Sequence, residues 1–209
     1  MEEKTNMTAE RSLEIIRESI ERSQRTITKN SALPLIWWGC LTIVLSILIV
    51  YLWKHQGGPV WNVLWFLMWP VGYVGNRFID KRKTPTPPSF VGRTIGHVWA
   101  TFGIMCGLFG WIVCFACMGW LPMGVLGNSP HIPINMTSII ALCFGMATTI
   151  TGFILKSTVI DICGIIAGVG GFFLALQFHG RPEQLYVMAA VAFVALVIPG
   201  LVVYLTNKK

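Results

Sequence analysis

The sequence predicts an all-α polytopic membrane protein, with six transmembrane helices preceded by an amphipathic cytosolic helix. Three observations predict it. Six apolar stretches with almost no charge, each near the roughly 20 residues that a bilayer core requires, fill most of the 209 residues. The composition is 54% hydrophobic and 12% charged, with a mean hydropathy of +0.65, whereas about a quarter of a soluble domain is charged. Finally, the Lys and Arg residues gather in alternate gaps between the stretches.

The segment before the first span, residues 1–32, reads as a cytosolic helix. Leu13, Ile16, Ile20 and Ile27 recur at intervals of three, four and seven, which aligns them as one narrow apolar stripe. Glu14 with Arg17, Glu18 with Arg22, and Glu21 with Arg25 are spaced to support that helix. It is expected to lie on the inner membrane surface or against the bundle, or to offer Leu13, Ile16, Ile20 and Ile27 to a cytosolic or membrane partner.

The transmembrane domain is expected over residues 33–206, followed by a cytosolic tail at 207–209. Span one covers 33–53 and is expected to act as an uncleaved anchor, because its apolar stretch is too long for a signal peptide. Span two covers 59–79, with Pro70 marking a kink. Residues 80–93 combine Lys81, Arg82 and Lys83 with Pro85, Pro87 and Pro88, which predicts a stiff basic connector. Span three covers 94–120, span four 132–155, span five 157–178 and span six 184–206, where Pro199 and Gly200 mark a second kink. Most of the nine tryptophans lie toward span ends and read as interfacial anchors.

The charge count then orients the chain. The N-terminal segment holds Lys4, Arg11, Arg17, Arg22, Arg25 and Lys29, and the gap after span two holds Arg77, Lys81, Arg82, Lys83 and Arg93. Lys156, Lys208 and Lys209 complete fourteen of the sixteen basic residues, against Lys54 and Arg181 in the opposite gaps. Both termini are therefore expected in the cytosol. The net charge of +7 is explained by this asymmetry and by anionic headgroups, so nucleic acid is not an expected partner.

Candidate chemistry is sparse. Gly96, Ala100, Gly103, Gly107 and Gly110, continued by Cys114 and Cys117, form a small-residue face on span three, of the kind that helix packing in lipid selects. Gly164, Gly168 and Gly171 on span five are the expected partner face. Such spans suit packing within one chain or between copies. Cys114 and Cys117 form a C-x-x-C, but no second thiol pair stands in an outer loop to exchange with it. His55, His131 and His179 fall one in each outer loop, a set that could hold zinc or copper if it converged. Asp161 is the one acid inside a span. With His97 it is the candidate for cation or proton coupling, against a structural pairing with Lys156. No hydrolytic or phosphate-binding motif is present, which argues against an enzyme, and no cofactor is expected.

Ser12-Leu13-Glu14-Ile15-Ile16, the run from Ser31 to Gly39 with its Trp-Gly pair, Val98-Trp99-Ala100-Thr101-Phe102-Gly103-Ile104, and Ile198-Pro199-Gly200 before a lysine tail carry a resemblance over most of the chain. The sequence resembles an uncharacterised family of small bacterial inner-membrane proteins, often encoded beside small transcriptional regulators. The resemblance implies a bacterial inner-membrane location and a regulatory or accessory role, with no catalytic residues to carry over.

Overall fold

A computed structural model describes residues 9–81, 90–117 and 135–206, and every element among them is helical. The chain forms α1 (Ala9–Gln56), a 3₁₀ segment (Pro59–Leu67), α2 (Met68–Asp80), α3 (Phe90–Cys117), α4 (Met136–Leu155), α5 (Thr158–Gln177) and α6 (Gln184–Leu205). Five helical stretches are long and apolar enough to cross a bilayer, namely Ala32–Gln56, Phe90–Phe115 and the whole of α4, α5 and α6. The protein is thus a helical, multi-pass membrane protein.

Two differences from expectation concern the first third of the chain. The N-terminal helix and span one are one unbroken element of 48 residues, about 72 Å long at 1.5 Å per residue. Pro34 sits inside it: its missing N–H forfeits one hydrogen bond, a loss that helices at membranes accommodate without ending. The stretch expected as span two is instead composite. Gly57 and Gly58 have φ of 77° and 87°, a conformation glycine adopts without penalty, and they reverse the chain after α1. Pro59 then opens a nine-residue 3₁₀ helix, and α-helix resumes at Met68. Pro70 falls in the first turn of α2, where an N–H would be unpaired anyway. The handover from 3₁₀ to α therefore stands where a kink was expected.

The core is built by antiparallel pairs, and α6 runs beside the whole apolar length of α1. Lys54 meets Glu183 at one end, Ile49 and Val50 cluster with Leu185, and a Cβ on Gly39 would lie 2.7 Å from Val197. At the other end a Cβ on Gly200 would lie 2.7 Å from Ile36 and 3.1 Å from the Ala32 carbonyl. The polar members of this seam are satisfied within α1 itself. Thr42 and Ser46, both fully buried, donate to the carbonyls of Trp38 and Thr42 at 2.8 Å, the economical solution where water is absent. Before Pro199, which cannot donate to the Ala195 carbonyl, α6 passes through a π turn at Phe193–Val197 that absorbs the mismatch.

The closest approach is between α4 and α5. Gly145 lies against Gly168, Gly164 against Thr149, and Gly152 against Asp161. A Cβ added to Gly145 would stand 2.6 Å from both the Gly164 carbonyl and the Gly168 nitrogen, so backbone meets backbone. A second π turn, Ile166–Gly170, coincides with this crossing. Asn135 closes the far end, accepting from the Ser138 N–H at 3.1 Å as the N-cap of α4 and donating to the Ala175 carbonyl at 2.6 Å.

Tryptophans lock the remaining helices. The Trp38 ring fills the space over Gly72 and the Trp37 ring that over Gly75, while Trp37 Nε1 donates to the Gly72 carbonyl at 3.3 Å. Trp69 lies over Gly103 and Gly107, and Trp99 Nε1 donates to Thr151 Oγ1 at 3.1 Å. Trp99, Phe102 and Phe144 complete an edge-to-face triad with centroids 5.0–5.9 Å apart. These rings are packing keys between helices, a role beyond the interfacial anchoring that their positions predicted.

Candidate functional site

The two small-residue faces do not meet. Gly164 and Gly168 of α5 are occupied by α4, and Gly171 lies against Val191 of α6 and Ala141 of α4. On α3, Gly103 and Gly107 receive Trp69, whereas Gly96 and Gly110 have open space around them and Ala100 is exposed. Pairing of span three with span five is thus replaced by pairing of α5 with its neighbour in sequence, because a short turn at Lys156 already delivers α4 and α5 antiparallel. Lys156 adopts φ 54°, ψ 42° and closes α4 through its N–H to Phe153 at 3.3 Å, with Ser157 donating to Gly152 at 3.0 Å.

Asp161 stands in the first turn of α5, where the helix dipole favours an acid. Its side chain rests over Gly152, and Oδ1 is buried without a hydrogen-bond partner. The expected pairing with Lys156 is not made: Lys156 is exposed and serves as a backbone cap. His97 does not join Asp161 either. It is exposed, about 200° around α3 from Ile95 and Trp99, which face the bundle at 100° per residue.

The outer histidines are also separate. His55 is exposed and its ring lies tilted against Tyr51, with centroids 4.5 Å apart, His179 is exposed, and His131 lies outside the described residues. Among the described residues no group of three His, Cys, Asp or Glu is placed to hold a metal ion. Cys40, Cys106, Cys114, Cys143 and Cys163 are free thiols, and the side chain of Cys117 lies outside those described.

Glu183, in the same loop as His179, forms an ion pair. Its Oε1 lies 2.9 Å from Lys54 Nζ, which also sits 5.3 Å above the Tyr186 ring. The Lys54 ammonium, helped by a backbone N–H, holds the Glu183 carboxyl below its ordinary value. A lowered carboxylate stabilises the fold fully above the unfolded-state value, and the contribution disappears as pH falls through the lowered folded value. Glu183→Gln should therefore melt below the parent protein at neutral pH, and the two melting curves should converge in acid. A constant difference from pH 7 to pH 2 would show that the ion pair is not the cause.

The best-exposed candidate for contact is the N-terminal half of α1. Leu13 is 66% and Ile15 49% exposed. Ile16, Ile20 and Ile27 belong to the same helix, with side chains outside those described. By contrast, a groove of about 270 Å³ along the α4–α5 crossing is lined by Leu142, Met146, Ile150, Ile165 and Val169 over Gly145 and Gly168. It holds no acid or base, and its one hydroxyl, Thr149, donates to the Gly145 carbonyl at 2.9 Å. No known protein family, curated protein or solved structure matches the chain.

Proposed function

We propose that this chain is a six-span bacterial inner-membrane protein with both termini in the cytosol, whose N-terminal helix docks a protein partner in a non-enzymatic regulatory or accessory role. A sixth crossing is supported by the composite stretch Pro59–Asp80. It runs antiparallel to α1, from Trp61 near Val50 to Gly75 under Trp37. Its rise is about 37 Å by helical geometry, against a hydrocarbon core of about 30 Å. Six crossings return the chain to its starting side, in keeping with the fourteen-to-two division of basic residues. The bacterial setting and the accessory role rest on the family resemblance.

The docking role rests on one observation, the continuity of α1. A span needs only about 20 of its 48 residues, so the remainder continues the same helix past the apolar region and carries the Leu13, Ile16, Ile20, Ile27 stripe with it. An amphipathic helix offering anchors at this spacing is the form that binds a hydrophobic groove. Deleting residues 1–30 should leave membrane insertion intact and abolish partner capture by crosslinking in native membranes. Leu13→Glu with Ile20→Glu should reduce the same capture at least tenfold, the order expected when two apolar anchors are lost. Retention of every crosslinked partner by the truncated protein would refute the docking role.

A further inference from the structure

Arg93, His97 and Thr101 stand at intervals of four on one side of α3, and all three are exposed. Helical rise places His97 about 6 Å and Thr101 about 12 Å deeper into the span than Arg93. Polar groups at such depth are costly when they face only acyl chains. Among the described residues no helix covers them: between residues 90 and 115, Ile95 is the one buried residue of α3. Gly96 has nothing within 4 Å of where a Cβ would be, and Ala100 is exposed, so there is room beside the three side chains. Among the described residues, the side chains of Arg93 and His97 make no ion pair or hydrogen bond. The charge is also unsupported locally. Arg93 is the fourth residue of α3, whose first turn has no acid, and the helix dipole opposes a cation there.

We propose that this face of α3 seats the headgroup of an anionic phospholipid, with Arg93 on the phosphate, His97 donating to the phosphate or ester oxygens, and Gly96 and Ala100 admitting the glycerol. The inference depends on α3 crossing the membrane and not on the docking role of α1. A lipid is the occupant because the residues descend from the headgroup level into the hydrocarbon, a depth that a soluble anion does not reach.

The test uses the full chain, extracted from bilayers of equimolar phosphatidylglycerol and phosphatidylcholine, with retained lipids counted by native mass spectrometry. A basic group near the membrane contributes about fivefold in favour of an anionic lipid, so the parent protein should retain phosphatidylglycerol about fivefold over phosphatidylcholine or more. Arg93→Gln with His97→Gln should bring the ratio near one. Removing more charge elsewhere, by Arg77→Gln with Lys81→Gln, should leave it unchanged. Should the double variant at 93 and 97 not fold, Arg93→Gln alone should lower the ratio. Equal losses from both pairs of substitutions would mean a general basic belt and overturn the proposal. It is also overturned by a parent protein without preference, by stripping of the lipid with inorganic phosphate, or by a dimer that excludes lipid from this face.

Discussion

Replacing Gly145 with leucine is expected to cost about 3 kcal/mol or more, near the top of the range for overpacking a filled site. The obstacle is backbone: a Cβ there would stand 2.6 Å from the Gly164 carbonyl, and no side chain can swing aside to make room. The two helices would have to separate, opening the seam that also holds Ala141, Phe144 and Ala167. Thermal unfolding in detergent, followed by the fraction that still elutes as a monodisperse peak, measures the loss. Gly110→Leu, at a glycine with open space around it, is the matched control and should behave as the parent. Equal melting of the two variants would mean that α4 and α5 do not cross at Gly145.

Trp38→Ala should be comparably severe, at about 3–5 kcal/mol for removing a large ring from a packed site. The ring fills the hollow over Gly72 and borders the main cluster around Leu35 and Leu196, so its loss leaves Trp37 as the remaining tryptophan between α1 and α2. The opposite change, Gly72→Leu, should also destabilise while Trp38 is present. In the Trp38→Ala background the leucine should instead refill the vacated space, and the double variant should melt well above the sum of the two losses. Strict additivity would show that ring and glycine do not touch.

How much of this was legible in the sequence depends on what each residue type reports. Hydropathy reports solvent, so the long apolar stretches and their limits could be read, with α5 and α6 beginning within a residue of expectation. It does not report backbone geometry. Val60 to Leu67 has the composition of any apolar helix, and only the glycines and proline around it hint at the 3₁₀ turn. Glycine reports close approach without naming the neighbour. Gly164 and Gly168 were recognisable as a contact face, but nothing in them names Gly145 and Thr149 of α4 as what they meet. Tryptophan near a span end is ambiguous between an interface and a notch, and Gly72, Gly75, Gly103 and Gly107 decide it for Trp37, Trp38 and Trp69. The candidate contact residues of α1 rest on a heptad-like stripe inside a charged helix. The unbroken join through Pro34 was not, since proline usually ends a helix.

The mating of α1 with α6 has a consequence for biosynthesis. α1 leaves the ribosome before the α6 that completes it, and at about 5–20 residues per second the interval is on the order of ten seconds. During that time Thr42, Ser46 and Gly39 have no final neighbour. The hydroxyl bonds to Trp38 and Thr42 are internal to α1, so neither hydroxyl is left unsatisfied while the helix waits in lipid. Trp37 and Trp38 can meanwhile engage α2 as soon as it inserts. The nascent chain thus holds α1 in a half-covered state until α6 arrives to seal it.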